Sequence, residues 1–305
     1  MEGILPLFKP KGMTSHDCVF KLRKILGTKK VGHTGTLDPD VTGVLPICVG
    51  RATKIAEYVT DAGKEYEGEV TLGFSTDTED ASGQLVERAE VDRDISIGEI
   101  QGVLEELTGR ITQTPPMFSA VKVNGKRLYE YARAGIEVER PSREISIYSL
   151  NLLSEDIVKN EEEGTLSFRF RVSCSKGTYI RTLAVTIGEK LGYPAHMSEL
   201  IRTRSSSFSL EDCFTFEQIE EKLALHEPVL QPLEAGIAHL PKLLISDKVA
   251  EKIKNGAVIE QPAELQIEEG QPFIMMDSLG RALAIYQLHP SKKGLIKPVK
   301  VLRID

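Results

Sequence analysis

The segment 32–43 concentrates reactive side chains in a dozen residues: His33, several hydroxyl side chains, Asp38 and Asp40, set among glycines. It has neither helical nor strand periodicity, which predicts a shaped loop. Because a residue before proline is driven out of the helical region, Pro39 should hold Asp38 on extended backbone. A carboxylate held in this way is a candidate nucleophile or general base. A simple Asx-Pro turn uses the same residues, so both interpretations remain open at this point.

The composition is that of an ordinary globular protein. The chain has 305 residues, 41% hydrophobic and 27% charged, which suits two domains with a sizeable core. No uncharged apolar run is long enough to span a bilayer, and the N-terminus lacks the basic start and apolar length of a signal peptide. The sequence therefore predicts a cytoplasmic protein without a membrane segment.

The cysteines and histidines show no metal-binding pattern. Cys18, Cys48, Cys174 and Cys213 are scattered, without a C-x-x-C pair or a histidine at a zinc spacing. We expect reduced, mostly buried cysteines that behave as small hydrophobes, and no metal site.

The charge distribution leaves an RNA-binding role open. A net charge of −7 argues weakly against a nucleic-acid binder, but phosphate binding needs only a local positive patch. The first sixty residues are net basic, and a second basic run, interleaved with Tyr129 and Tyr131, follows the tight-turn signal Asn124-Gly125. Cations and stacking aromatics suit RNA, while a surface hairpin and helix without a ligand is the competing interpretation.

The elements around the candidate loop follow from periodicity. A short strand is predicted at 3–8, and Ser15 is predicted to cap a helix that runs to about Leu26. The segment 65–72 alternates strictly, which predicts a half-exposed strand with Tyr66 on its less polar face.

A second strand and helix are predicted later in the chain. Alternation over 166–174 indicates a strand, and a helix follows to about Leu191, with Tyr179 and Arg181 in its first turn. The helix dipole disfavours a cation at that position, so we expect a carboxylate partner for Arg181.

The pattern changes again near the C-terminus. Thr215 and Gln218 fit a capping box that begins a helix. From about residue 240 the sequence predicts a short helix, 246–255, and strands near 272–276, 282–287 and 296–304, which is a small β-rich module.

The loop and its companion segments together resemble bacterial tRNA pseudouridine-55 synthases, the TruB family. The resemblance rests on segments that lie in the family's order along nearly the whole chain: 9–15 (KPKGMTS), 32–54 around Asp38, 64–66 (KEY), 176–183 (KGTYIRTL) and 200–203 (LIRT). The tail from about residue 240 is more loosely similar to a PUA domain, a small RNA-binding pseudobarrel.

The resemblance implies the isomerisation of one uridine in the T-loop of tRNA, without cofactor or metal. It implies that Asp38 is the nucleophile, attacking either the ribose or the uracil ring, and that Arg181 pairs with it. Tyr66 would stack on a flipped-out uracil, and Tyr179 and Leu200 would line the pocket. His33 would either fill the vacated space or stabilise the loop. Lys54 would support or contact RNA, and Lys9 and Pro10 would be structural.

The resemblance also implies the architecture. We expect an α+β protein whose catalytic domain, 1–238, has a mixed, mainly antiparallel sheet, followed by a β-rich PUA-like pseudobarrel at 239–305. An RNA-gripping insertion should lie at about 115–143. The expected partner is the T-arm stem-loop of tRNA, bound by a monomer.

Two other functions compete with this interpretation. A non-catalytic RNA-binding or tRNA-folding module would explain the basic patches equally well, but binding alone does not require Asp38 and Arg181. A retaining glycoside hydrolase generally uses two carboxylates, and Asp40 could be offered as the second. Two carboxylates separated only by a proline are poorly placed to face one substrate from two sides.

Overall fold

The strands and helices predicted from periodicity are present in the computed structural model, which describes residues 1–153, 157–263 and 265–303. The protein is mixed α/β, and its strand pairing is mainly antiparallel, as predicted. Two units are compact: the first comprises Met1–Pro39, Val44–Ala62 and Ser205–Asp305, and the second comprises Asp40–Gly43 and Gly63–Arg204. The predicted division at residue 238 stays a prediction.

The strands are β1 (Gly3–Lys9), β2 (Val31–His33), β3 (Thr42–Val49), β4 (Lys64–Leu72), β5 (Phe74–Thr76), β6 (Leu85–Arg88), β7 (Gly109–Gln113), β8 (Lys122–Val123), β9 (Lys126–Arg127), β10 (Arg143–Leu152), β11 (Val158–Asn160), β12 (Thr165–Cys174), β13 (Ala195–Ser205), β14 (Phe208–Ser209), β15 (Lys242–Leu244), β16 (Ile259–Glu260), β17 (Phe273–Met276), β18 (Ala282–Leu288) and β19 (Leu295–Val301). The predicted end of the last strand, Ile304, lies outside the described residues.

The α-helices are α1 (Ser15–Ile25), α2 (Ala56–Asp61), α3 (Ile97–Glu106), α4 (Leu128–Arg133), α5 (Ile180–Leu191), α6 (Phe216–Ala224), α7 (Leu233–Gly236) and α8 (Asp247–Lys254). A 3₁₀ helix, Gly50–Ile55, precedes α2.

The cap of α1 differs from the prediction. Thr14, not Ser15, is the N-cap: its hydroxyl accepts from the Asp17 amide, and the Asp17 carboxylate accepts from the Thr14 amide. Ser15 is buried instead and bonds to a distant part of the chain. The capping box predicted at Thr215 and Gln218 is confirmed at the start of α6.

The sheet of the second unit has the strand order β13-β4-β12-β10-β7. Its centre is the long antiparallel pair β4–β12, in which Tyr66 lies opposite Val172 and Gly68 opposite Phe170. The predicted alternation along both strands is confirmed, because their apolar residues share one buried face. The Asn124-Gly125 turn also forms as predicted, with both residues at positive φ between β8 and β9.

The C-terminal strands form their own sheet, in the order β15-β17-β18-β19-β16. This five-stranded sheet is consistent with the expected PUA-like module. It is not a separate body within the first unit, since Ile274, Ile285 and Leu302 share one hydrophobic core with Ile4 and Ile55. We therefore expect this module and the N-terminal strands to depend on each other for stability.

No helix in the described part of the chain is long and apolar enough to cross a membrane.

This shared core generates a stability prediction. Ile285 is fully buried in it, so Ile285→Ala should lower the free energy of unfolding by about 2–5 kcal/mol, because the substitution leaves a cavity. Leu279 is 76% exposed in the turn before β18, and Leu279→Ala is the matched control, with an expected change within about 0.5 kcal/mol. Urea unfolding of both variants measures the difference. Equal effects would contradict the shared core.

Candidate active site

The predicted site residues are distributed over both units. The first unit contains His33, Asp38 and Lys54, and the second contains Tyr66, Tyr179, Arg181 and Leu200.

Asp38 lies in an irregular loop between β2 and β3, as the sequence predicted. The buried loop residues Thr34 and Leu37 fix the backbone before Asp38. The Leu37 amide donates to the Ser15 hydroxyl at 2.9 Å, and that hydroxyl lies 3.3 Å from the Leu37 carbonyl. Thr34 is buried and bonds to the Pro46 carbonyl through both its amide and its hydroxyl. Asp38 itself is half-buried, on a loop whose neighbouring residues are held by these bonds.

Lys9 holds the other side of the same loop. Its ammonium is fully buried and donates to the carbonyls of Pro10 (2.8 Å), Met13 (2.6 Å) and Pro39 (3.0 Å). The Pro39 carbonyl also accepts from the Gly12 amide at 2.9 Å. The backbone is therefore anchored both immediately before and immediately after Asp38, which limits where the carboxylate can move. The structural role expected for Lys9 has this physical basis.

His33 and Lys54 are the other predicted residues of the first unit. His33 is half-buried at the end of β2, opposite Ile47 of β3. Lys54 donates to the Val301 carbonyl of β19 at 2.7 Å, so it ties the 3₁₀ helix to the last strand. Contacts of these two residues with RNA stay predictions.

Tyr66 and Leu200 lie on one face of the sheet in the second unit. Tyr66 is buried on β4, and Gly68 follows it on the same face. A Cβ on Gly68 would come within 3.1 Å of Leu200 and 2.9 Å of the Phe170 ring. Because glycine has no side chain, the side chains of Leu200 and Phe170 can occupy this space. Leu200 of β13 therefore packs against β4, the strand that bears Tyr66.

Tyr179 is the N-cap of α5, and its backbone is held by a residue that the sequence analysis missed. The buried Gln113 accepts from the Tyr179 amide at 2.7 Å and donates to the Tyr179 carbonyl at 2.9 Å. The Arg143 guanidinium lies 5.0 Å from the centroid of the Tyr179 ring, which is a cation–π distance. No local pattern marks Gln113 in the sequence.

Arg181 is buried, 5% exposed, in the first turn of α5. Its guanidinium donates to the Thr78 carbonyl at 2.8 Å and to the Phe118 carbonyl at 2.9 Å, and it lies 3.7 Å from the Asp80 carboxylate. The expectation of a carboxylate near Arg181 is therefore confirmed by Asp80. The particular pairing with Asp38 stays a prediction.

Asp80 was not among the residues predicted from the sequence. One of its oxygens accepts from the Ser82 amide, the Ser82 hydroxyl and the Thr78 hydroxyl, which leaves the other oxygen nearest Arg181. The available signal was the polar segment 77–83, which contains three carboxylates and ends in glycine directly after a strand. That composition is typical of a turn, and nothing local connects it to a helix a hundred residues later.

The buried cysteines are chemically inert, in agreement with the sequence analysis. Burial raises the pKa of Cys48 to about 12 and that of Cys174 to about 11, so both remain thiols at neutral pH. Among the residues that the structure describes, no group of three or more His, Cys, Asp or Glu side chains is arranged to hold a metal ion.

Comparison with protein families finds two adjoining matches. The model described as TruB family pseudouridylate synthase (N terminal domain) matches residues 23–180, and the model described as tRNA pseudouridylate synthase B C-terminal domain matches residues 181–238.

Named relatives match over the full length. A tRNA pseudouridine synthase B of Geobacillus thermodenitrificans is 60% identical over 306 residues, covering 99% of this chain and 100% of that protein. A tRNA pseudouridine synthase B of Bacillus thuringiensis is 61% identical over 305 residues, covering 99% and 97% respectively.

Solved structures share the fold. A crystal structure of a Cbf5-Nop10-Gar1 complex contains a chain that is similar with a TM-score of 0.77 and 30% identity, covering 99% of this chain and 85% of that chain. A structure of an H/ACA RNP bound to a substrate RNA containing 2'-deoxyuridine gives a TM-score of 0.73 and 28% identity, with the same coverage.

The Lys9 contacts generate a second stability prediction. Lys9→Met keeps most of the aliphatic volume but removes the buried ammonium that donates to three backbone carbonyls, so we expect the free energy of unfolding to fall by about 3 kcal/mol. Lys11→Met, at an exposed position two residues away, should change it little. Thermal and urea unfolding of the two variants provide the measurement. If the two variants were equally stable, the Lys9 bonds would not be what holds the loop.

Proposed function

The chain belongs to the TruB family of pseudouridine synthases, and from that premise we propose that it converts the uridine at position 55, in the T-loop of tRNA, to pseudouridine. The isomerisation of uridine in tRNA is the activity by which its relatives are named. The observation that carries the proposal is 60% identity to such a relative over 99% of this chain.

The reaction needs no co-reactant. The bond between ribose C1′ and uracil N1 breaks, the base turns, and C1′ forms a bond to C5. The proton leaves C5 and N1 is protonated, so atoms and electrons balance within the substrate. The chemistry demanded of the protein is a nucleophile, a proton acceptor and a pocket for an unstacked base.

We propose Asp38 as the nucleophile, attacking either ribose C1′ or the uracil ring. The support is its setting: a half-buried carboxylate on a loop whose backbone is bonded on both sides by Ser15 and Lys9. Such anchoring lowers the cost of orienting the carboxylate toward a reacting carbon.

The second unit supplies the rest of the proposed machinery. Tyr66 would stack on the flipped uracil and help to move the C5 proton, while Tyr179 and Leu200 would line the pocket. Arg181 would pair with Asp38 in the reacting complex, with Asp80 keeping the buried guanidinium oriented. His33 would occupy the space that the uridine leaves in the T-loop, and Lys54 would contact RNA near its bond to β19.

We propose that the segment 115–143 grips RNA. Lys122, Lys126 and Arg127 are exposed around its hairpin, and the Tyr129 ring lies 5.8 Å from the Arg127 guanidinium and 5.3 Å from that of Arg133. Guanidinium groups held beside an aromatic ring suit phosphates and stacked bases. The module at 239–305 would add a second RNA contact. The cytoplasm as compartment and a monomer as working form belong to the same proposal.

A non-catalytic RNA-binding module is the alternative from another class. It would explain the basic insertion and the C-terminal sheet, but it gives no reason for a carboxylate anchored on both sides. The first experiment below separates the two functions.

The nucleophile proposal is tested at Asp38. Asp38→Asn should abolish pseudouridine formation in a tRNA transcript while leaving tRNA binding largely intact, because the amide is nearly isosteric but not nucleophilic. Asp40→Asn, at an exposed carboxylate two residues away, should retain activity. Pseudouridine is mapped by position, and a transcript with cytidine at position 55 should give no product. Normal turnover by Asp38→Asn would exclude this mechanism.

The role of Arg181 generates a further prediction. Arg181→Met keeps the buried aliphatic stem but removes the charge beside Asp80, so pseudouridine formation should fall by about a hundredfold or more. The protein should stay folded, as judged by circular dichroism and tRNA affinity. Loss of the folded state in this variant would instead show that Arg181 serves mainly to hold the segments around it together.

A further inference from the structure

Glu79 has an unusual backbone conformation beside the proposed site. Its φ is +63°, in the left-handed region that non-glycine residues rarely adopt and that costs free energy. Such a conformation persists only where the surrounding structure holds it. Glu79 lies between Thr78 and Asp80, which both contact the Arg181 guanidinium.

The side chain of Glu79 is bonded to the helix that carries Arg181. The Thr182 hydroxyl donates to its carboxylate at 2.6 Å, and Thr182 directly follows Arg181 on α5. Consecutive residues of the 77–83 loop, Glu79 and Asp80, therefore meet consecutive residues of the helix.

The backbone of this loop is held against β13. The Met197 amide donates to the Glu79 carbonyl at 3.0 Å, and the Ala81 amide donates to the Met197 carbonyl at 3.1 Å. These bonds fix the loop at one edge, and the bond between Glu79 and Thr182 fixes it at the helix. Between those anchors lies Asp80, 3.7 Å from Arg181.

The hydrogen bond from Thr182 stabilises the charged form of the buried Glu79 carboxylate. Burial raises the pKa of the Glu79 carboxyl, while the Thr182 bond and the charges of Arg181 and Arg140 act in the opposite direction. A carboxylate with this little water depends on the hydroxyl for its hydrogen bonding.

We propose that Glu79 and Thr182 form a positioning pair that seats the 77–83 loop on the first turn of α5 and thereby orients the Arg181 guanidinium for uridine isomerisation. Neither residue touches the reacting atoms. The pair acts through Thr78 and Asp80, whose oxygens set the direction of the guanidinium. This inference rests on the proposed function, since Arg181 must take part in the reaction for its orientation to matter.

The test is a matched pair of substitutions at Thr182. Thr182→Val preserves shape but removes the hydroxyl, and it should slow single-turnover pseudouridine formation by about tenfold, the equivalent of one hydrogen bond to a charged group. Thr182→Ser keeps the hydroxyl and should restore the rate to near that of the wild type. Binding of tRNA should change little in either variant. Thr182→Val alone should lower the melting temperature modestly, because it leaves a buried carboxylate without this donor, so the rates are measured well below the melting temperature.

A double substitution tests whether the two residues act as a unit. Glu79→Ala should slow the reaction as much as Thr182→Val does, and the double variant should be no slower than either single variant. Additive losses, an equal loss in Thr182→Ser, or an unchanged rate in Thr182→Val would each overturn the pairing.

The wild-type protein distinguishes the two levels of failure. If the wild type forms no pseudouridine, the proposed function fails and the inference falls with it. If the wild type is active and Thr182→Val equals it, only the positioning role is overturned.

Discussion

The geometry of the Asp38 loop depends on the hydrogen bonds that the buried Lys9 ammonium donates to backbone carbonyls. A buried cation must have its donors satisfied, and here the carbonyls of Pro10 and Met13, close by in the sequence, and of Pro39, 30 residues away, accept from it. Because one of those carbonyls belongs to Pro39, the Lys9 ammonium has its hydrogen bonds satisfied only when the loop is in place. The Ser15 hydroxyl adds the matching constraint at Leu37. The carboxylate that we propose as the nucleophile is thus positioned through the backbone of its loop.

In the second unit, a buried cation again joins separate segments of the chain, and here it is Arg181. Its buried guanidinium donates to carbonyls of two separate segments, at Thr78 and Phe118, and lies near the Asp80 carboxylate. The fork of guanidinium donors is suited to joining several segments, since each donor has a fixed direction. Phe118 lies within the segment proposed to grip RNA. One of the bonds that orient this arginine therefore comes from that segment.

The C-terminal sheet is tied into the first unit by packing rather than by a flexible linker. Its residues Ile274 and Ile285 share a core with Ile4, and Arg303 pairs with Glu234 of α7 and Glu2 of the N-terminus. An RNA-binding module attached in this way would present its surface in a fixed relation to the strand β1. Loss of the module would expose apolar surface of the N-terminal segments, so its stability and any binding role are linked.

Most of the local structure, the chemical character of the loop at Asp38 and the family of the chain could be predicted from the amino-acid sequence alone. Alternation predicted β4 and β12, and turn chemistry predicted the Asn124-Gly125 hairpin, because these signals depend on neighbours a few residues apart. No local signal predicted that Lys9 binds the Pro39 carbonyl 30 residues away, or that Arg181 contacts Thr78 and Asp80 about a hundred residues before it, because these contacts form only when the chain folds. The Thr14 cap, by contrast, is a local pair with Asp17 that the sequence analysis missed, whereas the bond between Ser15 and Leu37 joins distant segments. Such bonds join polar groups that burial leaves without water, and which groups those are depends on how distant segments pack.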